Sequence, residues 1–382
     1  MENISFGKSF EFISPKIIFG IDKFNDIATI VRDYGSNILL VTGRTAMRKY
    51  GVLDRAKKLI EDEGLSVQIF DKVEPEVSCE TVDQGVKFCK DENCDCVLSI
   101  GGGSALDCGK AIAIMVNHEG ETWEYQENKK LERPGLPFIA VPTTAGTGSE
   151  ITKNAVLINK KNGWKASIRH PFMVAKVAVV DPKLTLTMPP KITASTGMDA
   201  LTQAIESYVS LKSNALSDIL AINAITLISK NLVNAVKDGE NLVYREKMAL
   251  GSLISALAFS NSGLGGVHGL AHPIGADFKI PHGEICAILL PILMEYNMNY
   301  NHSKYMTISK TMDPKAKSIT DGINFIKKLN ESIGIPNNLK HYNIDPEKLK
   351  QSINKARGGS FNANPRKIDK NEIYNLIISK LF

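Results

Sequence analysis

The 382-residue sequence has no CxxC pair, and its six cysteines (Cys79, Cys89, Cys94, Cys96, Cys108 and Cys286) are scattered. Cys94-Asp-Cys96 is too tightly spaced for half a zinc knuckle. This argues against a zinc-finger or disulfide scaffold and for free thiols in a reducing compartment. The net charge of +5 comes without any long basic block. That leaves small anionic ligands as the electrostatic expectation and gives no reason to expect a nucleic-acid partner. The start, MENISFGKSFEF, lacks the apolar centre of a signal peptide, and no later stretch approaches the ~18 uninterrupted apolar residues of a membrane span. The expectation is a cytoplasmic protein with no membrane partner. Two familiar phosphate signatures are missing as well: there is no GxGxxG fingerprint and no Walker loop. GTGSE, around Ser149, lacks the GxSxG order of a nucleophile elbow, so a serine hydrolase is not read here. Internal repeats and low-complexity tracts are also absent.

What is present is a globular composition, 43% hydrophobic and 23% charged, in a chain long enough for two domains. The first half alternates strands and helices. An extended stretch runs from 10 to 20, helical periodicity follows over 22 to 33, and NILLV (37 to 41) is apolar throughout, as in a strand buried on both faces of a parallel sheet. A helix over 47 to 63, a strand at 67 to 70, a helix near 79 to 90, a strand at 96 to 100 and a helix from Ser104 continue the rhythm. Such alternation predicts a doubly wound parallel sheet with right-handed crossovers, binding ligands at the carboxyl ends of its strands.

Two loops fall at such ends. In Gly101-Gly102-Gly103-Ser104, three glycines let backbone amides approach an anion, and the positive end of the following helix faces it. Asp107 and Lys110 belong to the same run. In the second loop, 137 to 156, Thr143, Thr144, Thr147 and Thr152 present hydroxyls beside Gly146 and Gly148. A hairpin through Asn162-Gly163 leads to Lys165 and then to a strand over 176 to 182.

From Pro189-Pro190 onward the pattern is helical, which sets an α/β domain over 1–190 and an all-helical domain over 191–382. On the first helix, Asp199, Gln203 and Glu206 sit at i, i+4 and i+7 of one face. The stretch from 263 to 291 holds His268, His272 and His282, three of the chain's seven histidines. His268 and His272 are one turn apart, and His282 follows beyond Gly275 and Pro281, where the chain can fold back. A divalent ion could gather two of these rings with a carboxylate from the Asp199 helix.

GGGSALDCGKA, PTTAGTGSE, MPPKITASTGMDAL and VHGLAHPIGADFKIPHGEICAILLP together resemble the iron-containing (group III) alcohol dehydrogenases over nearly the whole chain. The resemblance implies an N-terminal dinucleotide-binding α/β domain and an all-α C-terminal domain, the dehydroquinate synthase-like architecture, with nicotinamide, metal and a small alcohol or aldehyde meeting in a cleft. It places the metal ligands at Asp199, His268 and His282, with Gln203 where iron-dependent members carry a fourth histidine. An amide oxygen is a weaker donor than imidazole, so Zn2+ stands beside Fe2+ as the expected ion. His272 falls near the nicotinamide and is the candidate proton relay, the alternative being that it only orients the ring. The matching cofactor residues are Gly101, Gly102, Gly103, Ser104, Asp107, Thr143, Thr144, Thr147, Thr152 and Lys165. After NILLVT, where NAD-specific relatives often carry an aspartate, this chain has Gly43 then Arg44, which favours NADP(H) while admitting NAD(H). A homodimer or higher homo-oligomer is expected, with the edge strand near 10 to 19 able to pair between subunits. The loop 358 to 366 reads first as a simple turn, the alternative being that Phe361 or Asn362 reaches substrate. Two alternatives share the pattern: a metal-free carbonyl reductase of the maleylacetate reductase type, and a dehydroquinate synthase-like lyase. The lyase would need several cations on the helical domain, and between 190 and 290 few are placed at the motifs of the cleft.

Overall fold

Buried, all-apolar strands organise the first half of the chain. The computed structural model describes residues 9–127, 129–356 and 358–382; most of the N-terminal stretch weighed above as a signal peptide lies outside them. The strands are β1 (Lys16–Phe19), β2 (Asn37–Gly43), β3 (Ser66–Val73), β4 (Cys96–Gly101), β5 (Phe138–Pro142), β6 (Asn154–Asn159), β7 (Trp164–Arg169) and β8 (Val177–Val180). Six form one parallel sheet in the order β1-β8-β5-β4-β2-β3. Leu39 opposite Val97 and Ile100 opposite Val141 fix the central register, and all four are fully buried. β6 and β7 make a separate antiparallel hairpin, turned through Asn162-Gly163 as expected.

The winding has a reversal point. The chain moves outward from β2 to β3, then returns to lay β4 on the other side of β2 before continuing to β5 and β8. Ligands of open α/β sheets gather where the strand order reverses. Gly43 and Gly101, the last residues of β2 and β4, flank that point.

The helices depart from expectation in detail. The stretch predicted as one helix over 47 to 63 is two, Ala46–Lys49 and Val52–Asp62, interrupted at Gly51. The stretch over 22 to 33 begins as a 3-10 turn, Lys23–Asp26, before the α-helix Ile27–Arg32. Of the extended run from 10 to 20, only Lys16–Phe19 pairs as a strand, at the sheet edge.

Beyond β8 the chain is helical. Pro190–Val209, Ala215–Lys237, Leu242–Ser262, Gly266–Phe278 and His282–Asn297 enclose an apolar core that includes Met198, Leu201, Ile205, Ile228, Leu270 and Ile288. Ala215–Lys237 opens on a capping box between Asn214 and Ser217. Among the described residues this helix is long and apolar enough by composition to cross a membrane. Its Ala221, Ala224, Ile225, Ile228 and Leu232 belong to the core, and its Asp218 pairs with Lys304 at 2.7 Å. Between Leu242–Ser262 and Gly266–Phe278 the path bends by 105°.

The chain divides into two compact units. The α/β unit comprises Ser14–Thr144 and Gly148–Thr187; the helical unit comprises Met188–Phe382, Ala145–Thr147 and the segment ending at Ile13. The division at Met188 lies close to the expected 190, but the two short segments were not anticipated. Their reasons are local contacts within the helical unit. Ile13 donates its amide to Asn261 Oδ1 at 2.8 Å and accepts from Asn261 Nδ2 at 3.2 Å, and Gly146 packs on Thr196.

Candidate active site

In the α/β unit the end of β4 turns directly into the helix Gly103–Met115. Gly101 has φ +155, and a Cβ there would meet Ala105 Cβ at 2.7 Å, so the turn requires glycine. Thr143 donates its amide to the Gly101 carbonyl at 2.9 Å, and Thr144 lies against Gly102. The helix dipole and the amides at its start therefore face whatever rests beyond 101 to 103.

Several side chains matched to the cofactor instead hold this loop together. Asp107 accepts the Ser149 hydroxyl on one oxygen and the Val156 amide on the other, the latter at 2.9 Å. Lys110 is wholly buried, and its ammonium donates to the Ser149 carbonyl (2.6 Å), Thr152 Oγ1 (3.1 Å) and the Asn154 carbonyl (2.8 Å). Burial pushes Lys110 down to about 8 against the opposing pull of Asp107. Ser104 accepts the Glu76 amide at 3.1 Å, and Lys165 pairs with the Glu76 carboxylate. Thr147 belongs to the helical unit. At the end of β2, a Cβ on Gly43 would meet only the Val73 carbonyl at 3.8 Å. Arg44 beside it is exposed; its Nε donates to the Lys72 carbonyl at 3.0 Å and its head lies 3.8 Å from Glu74.

In the helical unit, side chains distant in sequence converge. His268 Nε2 lies 3.1 Å from Asp199 Oδ1, and His282 Nε2 lies 3.8 Å from the same oxygen. The approach depends on Gly283, since a Cβ there would fall 1.9 Å from the Ser195 carbonyl oxygen; glycine lets His282–Asn297 touch the backbone of Pro190–Val209. Glu206, two turns beyond Asp199, accepts from His268 Nδ1 at 2.6 Å and from the Val267 amide at 2.6 Å. It fixes the ring so that Nε2 faces Asp199, the carboxylate–histidine arrangement that supports metal ligands. The sequence placed Glu206 on this face but gave it no role.

One further residue escaped the sequence reading. Cys286 closes a group with Asp199, His268 and His282 in which every ligand atom lies within 4.8 Å of the others. The signal was its spacing, one helical turn after His282. Burial alone would lower the His268 ring, but its interactions with Cys286 and Glu206 and its hydrogen bond to Asp199 outweigh it and the direction is well up. Burial pushes the Cys286 thiol up to about 11. Gln203, one turn after Asp199, is buried and its Oε1 has no hydrogen-bond partner among the described residues. A buried amide oxygen left unpaired costs on the order of 1–3 kcal/mol, which fits an oxygen kept for an absent ligand. The donor set and this orphaned oxygen both suit a divalent ion. His272 stays out of the cluster and stacks on His282, with ring centroids 4.9 Å apart and planes at 18°. Phe361 packs on Gly269 and the helical core.

The family model for iron-containing alcohol dehydrogenase matches residues 14–182, and the model for the Fe-containing alcohol dehydrogenase family, C-terminal, matches 193–381. The chain belongs to the iron-containing alcohol dehydrogenase family. It is 36% identical over 376 residues to the 1,3-propanediol dehydrogenase of Citrobacter freundii, covering 96% of this chain and 97% of that one. It is 38% identical over 334 residues to long-chain-alcohol dehydrogenase 1 of Geobacillus thermodenitrificans, covering 85% and 84%. A crystal structure of 1,3-propanediol oxidoreductase superposes with a TM-score of 0.94 at 35% identity, over 98% of this chain and 100% of that one. The protein is accordingly a metal-dependent, NAD(P)-linked alcohol dehydrogenase, an oxidoreductase acting on alcohols.

Proposed function

We propose that Asp199, His268 and His282 hold the divalent ion, Fe2+ or Zn2+, with Gln203 contributing a weaker amide oxygen one turn along. The observation that carries this reading is the convergence of ligand atoms from three helices within 4.8 Å, those of Asp199 and His268 buried and His282 half-buried. When bound, the metal supplies Lewis acidity toward the substrate oxygen, and the nicotinamide gives or takes the hydride. Glu206 keeps the His268 ring aimed and its basicity high. His272 accepts the alcohol proton during oxidation and returns one during reduction, since imidazole changes charge near neutral pH.

The amides at 101 to 103 hold the pyrophosphate of the dinucleotide, with Ser104, Thr143 and Thr144 around it. Asp107, Lys110 and Thr152 act one step removed, by fixing the shape of the loop. Lys165, paired with Glu76, stands at the same loop. With Gly43 in place of an acidic residue and the Arg44 guanidinium exposed, NADP(H) is the preferred cofactor and NAD(H) is accepted. The substrate is a small primary alcohol or aldehyde. Subunits pair as a homodimer or larger homo-oligomer through β1, an outer strand of the sheet. Six free, buried thiols suit a cytoplasmic setting. A panel of alcohols and aldehydes, run with NADPH and NADH and with Zn2+ or Fe2+ returned to chelator-treated protein, tests the whole reading. Turnover that survives removal of all metal would refute the metal assignment.

A further inference from the structure

Cys286 lies one turn beyond His282 on the helix His282–Asn297, so both side chains leave the same face. Its Sγ stands 3.7 Å from His282 Nε2. Donors at about 2.0–2.3 Å from a tetrahedral ion are separated from one another by roughly 3.3–3.6 Å. The separations here, 3.1 Å for His268 to Asp199, 3.8 Å for His282 to Asp199 and 3.7 Å for His282 to Cys286, bracket that range. We propose that Cys286 is a fourth protein ligand, completing an O, N, N, S donor set with Asp199, His268 and His282, and that its sulfur biases the site toward Zn2+ over Fe2+. This rests on the three-residue metal site proposed above and assigns a donor which that reading lacks.

The chemistry favours sulfur over the amide of Gln203 for this role. On coordination the S–H bond breaks, a metal–sulfur bond forms, and the proton leaves to solvent. The thiolate and the Asp199 carboxylate then balance the charge of a divalent ion, which a neutral amide cannot do. Thiolate is a soft donor and selects zinc among hard and borderline ions. Gln203 remains nearby as a weak donor that an incoming substrate oxygen could displace.

Cobalt(II) added to chelator-stripped protein reads the donor set directly, because thiolate-to-cobalt charge transfer absorbs in the near ultraviolet and N/O-only sites lack that band. Wild type and Gln203→Ala are expected to show the band, and Cys286→Ser to bind cobalt without it. In chelator competition, Cys286→Ser should lose more than about tenfold in Zn2+ affinity, the least that a disturbed outer-sphere partner costs, and less in Fe2+ affinity. Wild-type protein that binds cobalt with visible d–d absorption but no near-ultraviolet band overturns the sulfur ligand while leaving the three-residue site intact. Wild-type protein that binds no cobalt overturns both. The wild-type spectrum decides even if the serine variant folds poorly, and Asp199→Ala, expected to lose cobalt in either case, provides the blank.

Discussion

In the α/β unit the groups proposed to face a ligand are backbone amides at 101 to 103, held in place by side chains turned inward; in the helical unit the proposed ligand groups are themselves side chains, held in place by backbone packed at Gly283. The first arrangement suits phosphate, held by shape and dipole, and tolerates little change of backbone. The second suits a cation, held by donor identity, and is sensitive to single atoms. The two halves of the reaction are thus exposed to different kinds of mutation, and the difference can be probed from either side.

The largest effect is expected from Asp199→Ala. Losing Lewis-acid stabilisation worth several kcal/mol should lower kcat/KM by on the order of a thousandfold or more, measured with NADPH and a good aldehyde. Activity within tenfold of wild type would remove the distinction between the units. Gly101→Ala should follow, because φ +155 and the Ala105 contact leave no room for a methyl group. Strain of about 1–3 kcal/mol should appear as a lower melting temperature and a raised KM for nucleotide, with metal content unchanged. Glu206→Gln is predicted to weaken metal retention by about 10–100-fold in dialysis while leaving nucleotide binding alone.

A smaller effect comes from the end of β2. Gly43→Asp fits without a clash, since its nearest neighbour is the Val73 carbonyl at 3.8 Å, and should shift kcat/KM toward NADH by about tenfold. Unchanged ratios would rule out this position as the determinant. The smallest concerns pH. Burial works to raise Glu74, but hydrogen bonds from Ser78, Thr81 and Lys160 win and hold it at about 2, below the ordinary 4.5. A carboxylate depressed on folding contributes stability above the unfolded value, lost as pH falls toward the folded one. Glu74→Gln should therefore flatten the acid limb of the melting curve between pH 4.5 and about 2, where wild type keeps a slope.

The same contrast explains what could be read from the sequence. Strand and helix alternation, and the grouping of Asp199, His268 and His282, were legible because they follow from periodicity, spacing and a family pattern. The inward turn of Asp107, Lys110 and Thr152 was not, since a polar residue beside a glycine loop looks the same whether it faces ligand or loop. Glu206 was seen on the right face, but nothing local revealed that it would meet His268, 62 positions away. Cys286 carries no cysteine-to-cysteine spacing signal, because its neighbour is the histidine one turn earlier. The Asn261 contact that draws the segment ending at Ile13 into the helical unit spans 248 positions and leaves no local trace.

The central claim is that Asp199, His268 and His282 share a divalent ion. Its most direct test is the metal remaining per chain after exhaustive dialysis, determined by atomic emission for wild type, Asp199→Ala and His282→Ala. The prediction is close to one ion per chain in wild type and essentially none in either variant. Equal metal in all three, or none in wild type under conditions that support turnover, would contradict it.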